Sequence, residues 1–236
     1  MWSYLKLSEE KNLLIEYHPD APRPQFMWSA SLPSTWRIIE THPARWKVCA
    51  ERLVRDYIPG VRLSASDRKL VMAKLEEVVA QSQKTGVLLA LVQPGIVDEQ
   101  VSAVTLLLRW VDTAPSPASV LAIEKELTSK DPQVERTGND VPYVVASTSH
   151  QAGPITNRRT VFTHQAYIPV SGTSWTLAVS ATAPNKETSE SVAAIVRRVV
   201  EGIKVYPDTA GERILAEPMS EDDIAMVMTE DGVVKP

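Results

Sequence analysis

Cysteine is nearly absent from this sequence, because Cys49 is the only one among 236 residues. An internal disulfide is therefore excluded, and cysteine usage gives no indication of an oxidising compartment. Cys49 lies at helical spacing from Trp46 and Leu53, two apolar residues of the same predicted helix face. We therefore interpret it as a small core residue rather than a reactive thiol.

Long apolar runs are missing as well. Near the N-terminus, Lys6, Glu9 and Lys11 interrupt the apolar stretch that a signal peptide requires. No segment approaches the roughly 20 apolar residues of a membrane span. We therefore predict no membrane association and a cytoplasmic location, unless a dedicated secretion route exports the protein.

The chain has no excess of positive charge, since 25 Lys and Arg residues face 29 Asp and Glu residues, for a formal net charge of −4. The basic residues are scattered, with arginine doublets at 158–159 and 197–198. Nucleic-acid binders need an electropositive surface that neutralises phosphates. We therefore predict that the protein does not bind nucleic acid.

The short motifs of common catalytic and ligand sites are also absent. The sequence contains no HExxH or CxxC metal motif, no G-x-S-x-G nucleophile motif and no glycine-rich phosphate-binding loop. His150 and His164 flank a predicted hairpin, but their positions along its strands keep them apart. We predict no metal site, no cofactor and no catalytic residue, and we favour a non-enzymatic role.

Helical periodicity indicates four main helices. The first begins at Pro43, a residue suited to the first helical position, and ends near Ile58 before Pro59-Gly60. Ser64 and Asp67 have the spacing of a capping box at the start of the second helix. The other predicted helices are 66–85, one opened by Ser116-Pro117, and 187–204.

Strands are predicted at 26–31, 86–93, 101–112, 142–150, 160–170 and 173–183, mainly from apolar runs and alternation. The last strand alternates cleanly, with Leu177 and Val179 on one face and Ser180 and Thr182 on the other. Ser171-Gly172 joins the last two strands by a link short enough for an antiparallel hairpin.

These elements predict an α/β fold of the α+β type, with helices packed on a largely antiparallel β-sheet. We expect one domain over residues 1–205, with an N-terminal segment 1–25 that includes a short strand at 13–17. Residues 206–236 are expected to form an acidic, loosely docked tail. Ile224, Val227 and Met228 share a helical side, so Ser220 to Met228 is predicted as a short helix.

Two stretches give the sequence a family resemblance. A strand runs into LPSTW at 32–36, and TSWTLAVSATAP at 173–184 precedes the final helix. Over about residues 26–205 the chain resembles the Mog1/PsbP-like group, especially its actinobacterial LpqN-like branch. The resemblance implies an α/β/α sandwich and a binding or accessory role. LpqN-like members are exported lipoproteins, and this sequence departs from them by lacking a signal peptide and an N-terminal cysteine.

The candidate binding sites are the edge of the sheet and two exposed regions. The loop QAGPITNRR at 151–159 ends in Arg158 and Arg159, which can grip a carboxylate or phosphate through two hydrogen bonds. Trp28 and Trp36 flank the first turn and are expected to be partly exposed, as aromatic anchors of interfaces are. An ordinary hairpin end and a tryptophan-rich core are the alternative interpretations.

The function we predict is a non-enzymatic binding or accessory protein whose partner is another protein. The resemblance further implies an association with a specialised secretion system of actinobacteria. One alternative is a small-molecule binder or an enzyme with an unfamiliar site, which would need a deep apolar pocket. Another is an immunity or antitoxin-like protein, which a neighbouring toxin gene would identify.

Overall fold

The computed structural model describes residues 17–55, 63–97, 100–152, 158–206, 223–228 and 233–234. Within these ranges it contains four α-helices and eleven β-strands. The helices are α1 Trp46–Arg55, α2 Ala65–Lys84, α3 Val120–Glu126 and α4 Lys186–Glu201. The strands are β1 Met27–Pro33, β2 Arg37–Ile39, β3 Leu89–Val97, β4 Gln100–Asp112, β5 Gln133–Arg136, β6 Pro142–Ala152, β7 Arg159–Pro169, β8 Trp175–Ala183, β9 Lys204–Tyr206, β10 Asp223–Met228 and β11 Val233–Val234.

The larger sheet has seven strands in the order β2-β3-β4-β8-β7-β6-β5, and every neighbouring pair is antiparallel. The predicted class, helices packed on an antiparallel sheet, is confirmed. The predicted hairpin between β7 and β8 is also present, closed by the bond from Thr173 N–H to the Val170 carbonyl. Gly172 sits in this turn at φ 77°, a left-handed conformation that favours glycine. The edge strand β5 was not predicted, because its four residues lie in a polar stretch.

The smaller sheet has the order β11-β10-β1-β9, so β1 is paired along both edges. Trp28 of β1 pairs with Val205 on one side and with Met228 on the other. The predicted short helix at 220–228 is wrong, since residues 223–228 form strand β10. A six-residue apolar segment fits helical and strand spacing alike, and the backbone partners offered by β1 decide the outcome.

The helix starts follow their capping side chains. Ser64 Oγ accepts from the Asp67 backbone N–H at 3.1 Å and caps α2, as predicted. Helix α3 begins after Ser119, which accepts from the Ala122 N–H, and not after Ser116 as predicted. Helix α1 begins at Trp46 because residues 43–45 form a turn, and its predicted end near 58 lies outside the described residues. The predicted strand at 13–17 lies outside them too, except for its last residue.

The large sheet is covered on both faces. One face packs against α4 and β1, and its core includes Leu106, Leu108, Leu177, Val179, Val196 and Val199. The opposite face packs against α1 and α2 at the β2–β4 end. The same face packs against α3 at the β6–β7 end, around Val144 and Ile123. The helices therefore lie in layers on either side of the sheet.

Trp110 of β4 organises the α4-side core and is 2% exposed. It makes edge-to-face contacts with Trp28 at 5.3 Å, with Phe26 at 5.6 Å and with Trp175 at 6.3 Å between ring centroids. Such pairs add about 0.5–1.5 kcal/mol each beyond the burial of their area. The aromatic cluster therefore ties the small sheet to the large one.

Candidate functional site

Strand β8 lies at the centre of the large sheet and has two chemically different faces. Leu177, Val179 and Ala181 are buried in the α4-side core. On the opposite face, Ser180 and Thr182 are partly exposed. An antiparallel strand commonly alternates in this way when one face is packed and the other is partly open to solvent. The polar face predicted from the alternation is present at Ser180 and Thr182.

The helices on this polar side stand at the two ends of the sheet. Helix α2 packs against β4, and α3 packs against β6 and β7, while the helix that packs on β8 is α4 on the other face. The middle of the sheet therefore lies between two helical walls. We call this strip the polar cleft; it consists of Thr105, Arg109, Thr163, Gln165, Tyr167, Ser180 and Thr182, all partly exposed.

A row of three threonines crosses the cleft and continues to a fourth on the neighbouring strand β6. Thr105 of β4 pairs with Thr182, Thr182 with Thr163, and Thr163 with Thr148 of β6. Paired residues of antiparallel strands project from the same face, so the four side chains are neighbours. The hydroxyls of Thr163 and Thr182 lie 3.4 Å apart. This row supplies a line of hydroxyl groups that can donate and accept hydrogen bonds.

The adjacent row contains Ser180 and Gln165, which pair across β8 and β7. Lys130 reaches this row from the turn after α3, and its Nζ donates to Gln165 Oε1 at 3.4 Å. The Lys130 ammonium has three donors, and one contact with an amide oxygen leaves two available. It forms no ion pair with any residue that the structure describes.

The third row places Arg109 and Tyr167 on the two sides of Ala178. Burial raises the pKa of the Tyr167 hydroxyl, while nearby Arg109 lowers it and nearby Glu126 raises it. Arg109 is partly buried, yet within the described ranges it makes no ion pair and no hydrogen bond. Among the described residues nothing occupies the donors of the Arg109 guanidinium, which can hold a carboxylate through two hydrogen bonds.

The cleft therefore combines two cations, several hydroxyls and an amide on a sheet that holds them in fixed positions. Adjacent strands are about 4.8 Å apart, so Arg109 and Tyr167 stand roughly 10 Å apart at their backbones. These groups are donors suited to a carboxylate or another anionic, polar ligand.

The predicted aromatic anchors lie elsewhere. Trp28 is 3% exposed and Trp36 is 7% exposed, so the expectation that they are partly exposed is wrong. Trp28 packs edge-on against Trp110, and Trp36 belongs to the same core cluster. In the sequence, a tryptophan near a proline turn is compatible with an exposed anchor. In the structure, both tryptophans are buried because the large sheet packs against β1.

The two predicted arginines are at the other end of β7. Arg158 is exposed just before the strand, and Arg159 pairs with Ala152 at its first position. The strand pleat places Arg159 on the cleft face, about 13 Å along the strand from Thr163. The rest of the predicted loop, 153–157, lies outside the described residues.

A second polar cluster lies on the α4 side of the sheet. Ser147 Oγ and His164 Nδ1 are 2.8 Å apart, and His164 Nε2 is 2.8 Å from Ser189 Oγ on α4. Burial and nearby Arg197 lower the pKa of His164, which favours the neutral ring. His150 pairs with Val161, three positions from His164, so the two histidines are separated as predicted.

Arg197 of α4 is held next to this histidine cluster by Glu135 of β5. Its Nε and Nη2 donate to the two oxygens of the Glu135 carboxylate, with the shortest contact at 2.7 Å. The Tyr143 hydroxyl donates to the same carboxylate at 2.8 Å. These contacts join α4 to the edge of the sheet and lower the pKa of Glu135 through the Arg197 hydrogen bonds.

The single cysteine has a structural environment. The Cys49 thiol donates to the Ile38 carbonyl at 3.3 Å, and burial raises its pKa. A thiol with a raised pKa is a poor nucleophile, which agrees with a packing role, although the residue is half-buried rather than buried.

No group of three or more potential ligands for a metal ion occurs among the residues described. No helix in the described ranges is both long and apolar enough to cross a membrane. Neither the known protein families nor the curated proteins provide a match to this chain.

Proposed function

We propose that the protein is a non-enzymatic binding or accessory protein of the cytoplasm, and that it holds another protein in the polar cleft. The observation that carries the proposal is Arg109, an arginine of intermediate exposure without a partner in the described ranges, in the middle of a polar sheet face. Such a cation can bind an acidic group of another protein.

The resemblance to the Mog1/PsbP-like group is part of the same proposal. Helices on an antiparallel sheet, with LPSTW between β1 and β2, support it. An accessory role in an actinobacterial specialised secretion system follows from that resemblance. Genes for secretion components next to this gene would support this role, whereas a neighbouring toxin gene would favour an immunity protein instead.

The test fills the cleft without changing its charge. Ser180 faces the cleft from β8, so Ser180→Tyr places a ring where the partner is expected. Ser149→Tyr is the matched control, because Ser149 is exposed and pairs with Phe162 on the opposite face. We expect a stoichiometric partner in pull-downs from native lysate with the unchanged protein and the control, and its loss with Ser180→Tyr. Equal recovery by all three proteins would refute the proposal.

One observation favours an enzyme as a second candidate function. Exposed Ser147 contacts a neutral histidine whose other nitrogen contacts Ser189, as in a nucleophile with a base and an orienting group. In this candidate, Ser147 Oγ would form a bond to the carbonyl carbon of an ester while His164 Nδ1 takes the hydroxyl proton. The C–O bond of the ester would then break, and the alcohol would leave with that proton.

A fluorophosphonate probe tests this second candidate directly. Attack by Ser147 Oγ would form an O–P bond, release fluoride and leave the proton on His164, giving an adduct that mass spectrometry locates. We would expect labelling to vanish in Ser147→Ala and in His164→Ala, and to persist in the control Ser149→Ala. An unlabelled protein would remove the enzyme candidate and leave the binding proposal intact.

A further inference from the structure

The charges around the polar cleft are unbalanced. Arg109 and Lys130 approach it from opposite sides, and neither forms an ion pair with a residue that the structure describes. Glu126 is the acidic group whose charge acts on Tyr167, and it lies on the exposed side of α3. The floor between the cations includes Leu107, Ala178, Ser180 and Gln165, which are uncharged.

This arrangement is complementary to a carboxylate. Guanidinium and carboxylate form two parallel hydrogen bonds that are stronger than neutral ones. The Tyr167 hydroxyl, with its raised pKa, remains a donor at neutral pH. The threonine row lies on the same face beyond the row of Ser180 and Gln165, and it offers hydroxyls to the backbone of an extended segment rather than a socket for an apolar side chain.

Resting on the proposed function, we infer that the partner presents an extended acidic segment, and that Arg109 and Lys130 hold one of its Glu or Asp carboxylates. The cleft is three strands wide, about 10 Å between the outer backbones, which accommodates one extended chain. A helix with its side chains is about 10–12 Å across and would leave the threonine hydroxyls without polar partners.

The experiment uses the full chain and a capped, fluorescein-labelled peptide of alternating serine and glutamate, with binding followed by fluorescence polarisation. The companion peptide replaces every glutamate by glutamine, and free glutarate is a competitor that carries carboxylates without a peptide backbone. We expect the acidic peptide to bind at least about tenfold more tightly than its glutamine counterpart, since one charge-assisted contact has that value. Glutarate should compete only weakly.

Three variants locate the contact. Arg109→Gln should weaken binding of the acidic peptide about tenfold or more, and Lys130→Gln should weaken it less, because Gln165 already holds that ammonium. Lys186→Gln is the control, since it removes the same charge from an exposed site on α4 at the opposite face. Circular dichroism of each variant checks that the fold is retained.

The outcomes separate this inference from the proposed function. The inference of an acidic segment would be overturned by any of three results: equal binding of the two peptides, no binding of either, or unchanged binding by Arg109→Gln. A lysate partner lost with Ser180→Tyr would still support the binding function in that case. Full competition by glutarate would show a site for small carboxylates and would also overturn the inference.

Discussion

Replacing Trp28 by alanine should destabilise the protein strongly. The side chain is 3% exposed and contacts Trp110 edge-on at 5.3 Å between ring centroids. Removal of a buried tryptophan costs about 3–5 kcal/mol from lost burial and the residual cavity. The lost aromatic pair falls within this range, because both terms describe the same contact. We expect a loss of about 4 kcal/mol, or roughly 8–16 °C in melting temperature for a chain of this size.

The assay is urea unfolding followed by far-ultraviolet circular dichroism, because tryptophan fluorescence would change with the substitution itself. Val48→Ala is the control: Val48 is 63% exposed on α1, so its loss should change the unfolding free energy by less than about 0.5 kcal/mol. A cost under about 1 kcal/mol for Trp28→Ala would show that Trp28 is not a core residue and would refute its burial.

Three further predictions concern packing, capping and pH. Gly202→Ala should cost about 1–3 kcal/mol in urea unfolding, because a Cβ would lie 2.6 Å from the Ser31 Cβ and 3.1 Å from its backbone nitrogen; an unchanged midpoint would contradict this close approach. Ser64→Ala should cost about 1 kcal/mol by loss of the cap on α2, and Ser64→Thr, which retains a hydroxyl that accepts from the Asp67 N–H and donates to its carboxylate, should keep most of that stability. Because the pKa of His164 is lowered in the fold by burial and Arg197, its contribution to stability is present above the ordinary histidine pKa and is lost as the pH falls through the lower folded value. Thermal melts between pH 7 and pH 5 should therefore show a decline that is smaller in His164→Gln, and an identical decline would refute the assignment.

The spacing of apolar residues along the chain predicted the strands and helices that have one apolar face and one polar face. The alternation of Leu177 and Val179 with Ser180 and Thr182 gave β8 its two faces, and helix α4 followed from its apolar stripe. The helix predicted over 187–204 is shorter in the structure, because Gly202 ends it and Lys204 begins β9. Helix ends depend on the last turn, which apolar periodicity does not determine.

Long-range pairing explains what the sequence did not reveal. Strand β10 depends on β1, nearly the whole chain away, and the burial of Trp28 depends on Trp110 of another sheet. The cleft also depends on long-range pairing, because the register of β4, β8, β7 and β6 aligns the threonine row. Threonines at alternate strand positions were a usable signal, but their alignment across strands requires the pairing itself.

The position of β1 between β9 and β10 has a consequence for how the molecule is made. Trp28 pairs with Met228, which lies 200 positions later in the chain, so ribosomal synthesis must proceed past β10 before both edges of β1 are paired. Contacts of such separation slow folding. Until then the backbone hydrogen-bonding groups along that edge of β1 are unpaired and lie beside an apolar surface. Such an edge can pair with another chain and promote aggregation. Shortening the chain after Tyr206 should make that exposure permanent, and the shortened protein should aggregate although its large sheet is intact.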